Sequence, residues 1–249
     1  GYRADMGHGG VMPRPPRRRR IAVITGTRAE YGLLRTTIRA IERHPRLQLQ
    51  LAAAGMHLIR KFGSTVRQIE ADGFPIAARV PMQRGTDDPL DQAEGLARGV
   101  RGIARFLQEA ESDVVLVLGD RIEAMAGALA GVATGRVVAH VHGGDVAPGD
   151  LANALRHAIT KLAHLHLTAT RASMRRVLRM GERREHVFLV GAPGLDELAS
   201  LLHEQPRPHQ RSGNALIVHH PCGRSAEVEA RVMRDLLGAV ERQGLRRLI

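Results

Sequence analysis

The sequence predicts an α/β fold built on a doubly wound parallel sheet, and three observations predict it. Short apolar, β-branched runs alternate about six times with segments of helical spacing before residue 203. The clearest of these runs are apolar throughout, as strands covered on both faces are. Several end in a glycine beside a charged or imidazole group, where an open parallel sheet gathers its ligand-binding residues.

The elements follow in order. IAVIT (21–25) reads as the first strand, closed by Gly26, and 29–43 as a helix with Leu33, Leu34, Ile38 and Ile41 on one stripe. LQLQLAAAG (47–55) is the next strand, 60–72 the next helix. Residues 92–111 form a helix facing inward through Leu96, Val100, Ile103 and Leu107. DVVLVLGD (113–120) is the plainest strand, followed by a small-residue helix (121–134) and the strand VVAHVH (137–142). Helix 151–164, strand 164–170, helix 172–181 and strand 186–191 complete a first domain over 21–202. Residues 203–213 (HEQPRPHQRSG) lose periodicity and read as a linker. A second unit over 214–249 opens with strand 215–220, helix 224–243 and the final RLI, one βα unit of a second, unfinished domain.

Composition bounds the function classes. The 249 residues are 43% hydrophobic, enough for a packed core. One cysteine excludes a disulfide framework and suits a reducing cytosol, so a cytoplasmic location is expected. No run approaches the ~18 apolar residues of a membrane span. The net charge of +12 is arginine-borne, since Lys61 and Lys161 are the only lysines. Residues 1–20 carry +5 of it and read as a disordered basic extension. That stretch lacks the spaced aromatics of a single-strand binder, so no nucleic-acid partner is expected.

The chemistry-bearing residues cluster at strand ends: Thr25-Gly26-Thr27-Arg28, Gly55-Met56-His57, Gly119-Asp120-Arg121 and His140-Val141-His142-Gly143-Gly144-Asp145. TGTRAEYG (25–32) joins a strand to a helix, so free amides and Arg28 would hold an anion there; the same residues also suit a plain tight turn. Asp120, at the end of an apolar run, reads either as a proton-transfer carboxylate beside Arg121 or as a helix N-cap. His140 and His142 share a face by strand spacing, but no third ligand stands at a metal-site interval, so no metal is expected. His219-His220-Pro221 ends the strand of the second unit.

In order, the segments TGTRAEYG (25–32), GMHLIRKFG (55–63), VLGDRIEAMA (117–126), HVHGGDV (140–146), RHAITKLAHLHLTATR (156–171), VFLVGAPGLDEL (187–198) and HHP (219–221) resemble the UDP-N-acetylglucosamine 2-epimerases. The resemblance is to the hydrolysing branch of sialic-, legionaminic- and related nonulosonic-acid pathways. It implies two Rossmann-like domains on the glycosyltransferase-B plan with the active site between them, no cofactor, and self-association into a homo-oligomer. The implied reaction expels UDP from C1 of a UDP-2-acetamido sugar as C2 loses its proton; water then adds, releasing an N-acetylmannosamine-type sugar.

Carried over by motif, Arg28 binds the diphosphate, Asp120 takes part in proton transfer at C2, His142 stands where non-hydrolysing relatives have a glutamate, and His220 stabilises departing UDP. His57 and Arg121 complete the rim, with Gly26, Gly143, Gly144, Asp145, Asn153, Arg156 and His157 in the substrate-binding set. Two departures are visible. Ala152-Asn153 replace paired acidic residues, leaving an acid/base role that Asp150 or Asp145 would fill. The Gly/Ser-rich loop and the acidic ribose-contacting segment are expected beyond residue 249, which makes the chain a C-terminally truncated form of poor activity. A UDP-sugar glycosyltransferase of the same plan and an inactive fragment are the alternatives.

Overall fold

A strand with hydrophobic residues pointing both ways must be covered on both faces, and β1 (Arg19–Thr25) is such a strand in the interior of the sheet. The computed structural model describes residues 17–86, 88–146, 151–204, 213–219 and 225–248. The chain divides into two compact units between Ala199 and Ser200.

In the first unit, β1 and α1 (Arg28–Arg43) are followed by β2 (Leu47–Ala54), α2 (Val66–Ala71), β3 (Ile76–Val80), α3 (Pro89–Glu109) and β4 (Val114–Leu118). Then come α4 (Ile122–Ala133), β5 (Val137–Val141), α5 (Leu151–Leu162), β6 (Leu165–Thr168), α6 (Arg171–Arg179), β7 (Val187–Leu189) and α7 (Asp196–Glu204), which runs across the boundary at Ser200. The seven strands are all parallel in the order β3-β2-β1-β4-β5-β6-β7. The chain thus winds outward from β1 to the β3 edge, returns beside β1 with β4, and winds the other way to β7. Alternate residues of β1 feed two cores. Ala22 and Ile24 join Ile103, Leu107, Ala126 and Ala130 of α3 and α4; Ile21 and Val23 join Tyr31, Leu34 and Ile38 of α1. Helix α4 lies close on the sheet because it is small: a Cβ on Gly127 would stand 2.7 Å from Val117 Cγ1.

The structure corrects the sequence reading in four places. Strand β3 was not expected: it lies between Pro75 and Pro81 and carries Arg79, and its pairing with β2 supplies what its sequence lacks. The helix expected over 60–72 is shorter, with 3₁₀ turns at Gly55–Leu58 and Arg60–Phe62 before α2. The expected extension over 1–20 gives way at Arg19 to β1, where the Arg20 amide donates to Asp113 Oδ2 at 2.8 Å and Arg17 pairs with the same carboxylate at 2.7 Å; residues 1–16 lie outside the described residues. Helix α7 runs through Glu204, so the first two residues expected as linker are helical, and 205–212 fall outside the description.

In the second unit, β8 (Asn214–Leu216) pairs in parallel with β9 (Arg246–Leu248), joined by α8 (Ala226–Arg242). Ser225 caps α8 through its hydroxyl, and His219 Nε2 lies 2.9 Å from Glu229 Oε2. Among the described residues no helix is long and apolar enough to cross a membrane.

Candidate active site at the switch point

Where neighbouring strands β1 and β4 send their chains to opposite sides, the loops at their carboxyl ends diverge and leave a crevice. It is a cleft of about 430 Å³ lined by Thr27, Ala29, Glu30 and Leu33 on one side, and by Gly119, Asp120, His142, Asp145 and Arg156 among others opposite.

The α1 wall is a capping box. The Glu30 amide donates to Thr27 Oγ1 at 3.2 Å, while Glu30 Oε2 accepts from the amides of Gly26 (2.8 Å) and Thr27 (3.1 Å). Two amides that the sequence offered to an anion are therefore occupied, which leaves those of Arg28 and Ala29 at the first turn. Arg28 is exposed beside the cleft. Burial first, then the Glu123 carboxylate, pushes the Glu30 carboxyl up to about 8, against the pull of the Gly26 amide and of Arg121.

The opposite wall is a network of charges. Asp120 forms an ion pair with Arg156 of α5, whose Nη1 also donates to the Asp145 carbonyl at 3.1 Å and reaches Asn153 Oδ1 at 3.5 Å. The cap position of α4 belongs to Arg121, with no side-chain cap bond, so the N-cap reading of Asp120 is corrected. His142 follows the last residue of β5 with φ +63°, a left-handed turn that breaks the strand alternation and sends His140 and His142 to different surroundings. His142 Nδ1 meets Asp145 Oδ2 at 2.8 Å, and Ser173 of α6 donates to Asp145 Oδ1. Since a carboxylate only accepts, Nδ1 carries the hydrogen; Nε2 is buried without a partner. The same turn needs glycine: Gly144 has φ +79°, and a Cβ there would stand 2.4 Å from the Ser173 carbonyl.

Beneath the rim lie neutral imidazoles. His57 is fully buried, with Thr25 Oγ1 3.1 Å from Nε2 and Thr65 Oγ1 2.7 Å from Nδ1, and burial lowers it to about 4. It braces the rim from below and does not line the cleft, unlike the rim position expected of it. His140 is buried too and lowered to about 4 by desolvation, with Nε2 2.8 Å from the Gly119 carbonyl and Nδ1 3.2 Å from Thr160. It ties β5 to the turn that carries Asp120.

Of the residues singled out by sequence, Asp120, Arg121, His142, Asp145 and Arg156 come together around one cleft. Gly26, Gly143 and Gly144 are buried and shape the turns; His157 is half-buried outside the lining, its Nδ1 without a partner. Asp150 and His220 lie outside the described residues. Sequence reasoning missed Glu30, Glu123, Gln83 and Ser173. Glu30 had a readable signal, the T-x-x-E spacing of a capping box; the others depend on contacts across the fold. Among the described residues no group of three or more His, Cys, Asp or Glu is arranged to hold a metal ion.

Fold and cleft together define a doubly wound α/β protein with acid–base groups and arginines at its switch point. Comparison with known proteins gives the particular family: a model described as UDP-N-acetylglucosamine 2-epimerase matches residues 39–247, and the chain belongs to that family. It is 40% identical over 180 residues to the UDP-N,N'-diacetylbacillosamine 2-epimerase (hydrolyzing) of Legionella pneumophila, covering 72% of this chain and 48% of that protein. It is 37% identical over 182 residues to the UDP-N-acetylglucosamine 2-epimerase of Neisseria meningitidis, covering 73% of this chain and 47% of that one. A crystal structure of UDP-GlcNAc 2-epimerase from Neisseria meningitidis bound to UDP-GlcNAc superposes with a TM-score of 0.65 over 74% of this chain and 50% of that chain, at 18% identity, a likeness of fold. The chain spans about half the length of the curated relatives it matches.

Proposed function

We propose that the protein is a hydrolysing 2-epimerase of a UDP-2-acetamido sugar, acting by loss of UDP from C1 with proton removal at C2, followed by hydration. The observation that carries the reading is the meeting of the Asp120–Arg156 pair with the Asp145-held His142 in one cleft beside the N-terminus of α1. Elimination needs a base for the C2 proton and cations for the charge that develops on the leaving diphosphate. Arg28, Arg121 and the first-turn amides of α1 supply the second on one side of the cleft. Asp120 and His142 Nε2 supply candidates for the first on the other. Both Asp145 oxygens are engaged, by His142 and Ser173, so Asp145 acts through His142 and fixes its tautomer. That arrangement offers a way to fill the acid/base role left by Ala152-Asn153 without a further carboxylate; Asp150 is the other candidate.

The naming of a Legionella relative favours a sugar carrying a second acetamido group, as in UDP-N,N'-diacetylbacillosamine. The reading also carries a place in nonulosonic-acid synthesis, a cytoplasmic location and self-association. Proton NMR in heavy water tests it, with UDP-N-acetylglucosamine and UDP-N,N'-diacetylbacillosamine as substrates for the chain together with any sequence its gene adds. Release of a free 2-epimeric sugar deuterated at C2, with UDP, is the expected result; intact substrate in both reactions would refute it. Asp145→Asn and Asp150→Asn then decide which carboxylate matters, since only the operative one lowers turnover.

A further inference from the structure

Under the rim lies a group that the reaction outlined above does not use. Glu123, in the first turn of α4, is 1% exposed, and its side chain fills the space that Cβ atoms at Gly26 and Gly55 would occupy, 2.3 Å from its Cγ and 2.5 Å from its Oε1. It thereby reaches the turns that follow β1, β2 and β3 at once. Its Oε1 accepts from Gln83 Nε2 at 2.9 Å, and its Oε2 from Arg121 Nε at 3.2 Å; Arg121 Nη2 also rests 2.9 Å from Met56 Sδ. A buried carboxylate with a guanidinium fixed on it is a support for that cation.

We infer that Glu123 is a positioning residue, which holds Arg121 toward the cleft and, with the buried Glu30, forms a carboxyl pair that sets the spacing of the Thr25–Arg28 and Gly55–His57 turns. The inference rests on the UDP-sugar reading for the use to which Arg121 is put. Two carboxyls in one dry space do not both ionise at low cost, and the groups facing them are few: Arg121, the His57 ring, the Gln83 amide and the amides of Gly26 and Thr27. Burial first, then the Glu123 carboxylate, pushes the Glu30 carboxyl up to about 8, while its Oε2 accepts from the cap amides of Gly26 and Thr27. Arg121 pairs with Glu123 Oε2 at 3.2 Å, which ties the guanidinium to this buried spot beneath the anion-binding turn.

Glu123→Gln separates this role from mere filling of space. The amide is isosteric, and a turn of the Gln83 amide about its last bond brings its Oε1, buried without a partner, to accept from the new NH₂, so the variant is expected to fold. The first measurement is the melting temperature between pH 5 and 9. A carboxyl raised from 4.5 to about 8 gives stability that is lost as pH rises through that window. Removing the charge of Glu123 lessens the shift, so the variant loses less stability than wild type over the same range; equal losses would overturn the carboxyl pair. The second measurement is calorimetric titration with UDP. Glu123→Gln and Arg121→Gln each weaken binding about tenfold, and the double variant binds no more weakly than Arg121→Gln alone. Unchanged affinity in Glu123→Gln, or additive effects, would overturn the positioning role. If wild type itself fails to bind UDP, the functional reading falls, while the melting series still decides the carboxyl pair. Should Glu123→Gln not fold, Glu30→Gln tests the same pair, since it keeps the cap acceptor and abolishes the alkaline loss; persistence of that loss would overturn it.

Discussion

His142 takes a left-handed backbone (φ +63°) that β5 would not impose, and the turn holding it depends on single atoms. A methyl at Gly144 meets both a positive φ and the Ser173 carbonyl at 2.4 Å, so Gly144→Ala is expected to lower unfolding free energy by roughly 2 kcal/mol or more. Urea denaturation checks this. Asp120→Asn keeps the shape of the Arg156 contact but removes its charge; on the proposed reaction kcat falls about a hundredfold or more, measured by UDP release. A variant with wild-type turnover would remove Asp120 from proton transfer. At this scale the sequence was legible where a glycine and a charge sit together at a strand end, as at Gly119-Asp120-Arg121 and His142-Gly143-Gly144-Asp145. It was silent where a partner arrives from elsewhere: Ser173 reaches Asp145 from 28 residues on, and Glu123 is buried only because Gly26 and Gly55 leave room for it.

Helix α1 owes its start to Thr27, whose hydroxyl and backbone complete the box with Glu30. Thr27→Ala removes one half of that box, and a loss of about 1 kcal/mol in stability is expected from denaturant midpoints. Because the same box holds the Gly26 and Thr27 amides, the variant also loosens the turn that carries Arg28. Elements with strong internal patterns, β1, α1, α3, β4 and β5, were readable from periodicity within a few residues of their observed ends. Strand β3 was not, since five residues between two prolines become a strand only when β2 offers its edge. Helix α7 was hidden for a related reason: its place is fixed by Arg35 of α1, which pairs with Glu197, and by Thr36, whose hydroxyl lies 3.1 Å from Asp196 Oδ2.

For the molecule as a whole, the buried titrating groups predict the shape of stability against pH. His57 and His140 are held neutral in the fold, with values lowered from 6.5 to about 4, so stability falls as pH drops through that window and unfolded chains take up protons. Glu30, raised from 4.5 to about 8, acts in the opposite sense and costs stability as pH rises. Below 6.5 these two imidazoles, with buried His166 lowered in the same sense by desolvation, outweigh the one carboxyl, and above it the carboxyl dominates, so the melting temperature is expected to peak near pH 6.5. A plateau from pH 5 to 9 would contradict that balance. The order of the sheet bears on how the chain is made. β1 is synthesised before the other six strands of its sheet yet ends in the interior, and its second neighbour, β4, is paired to it across 93 residues, as at Ile21 and Val114. At ribosomal rates that interval lasts roughly 5–20 s, during which Ile21–Thr25 present an open, apolar edge. The nascent stretch made before β4 emerges is therefore the form of this sheet with most to gain from a chaperone.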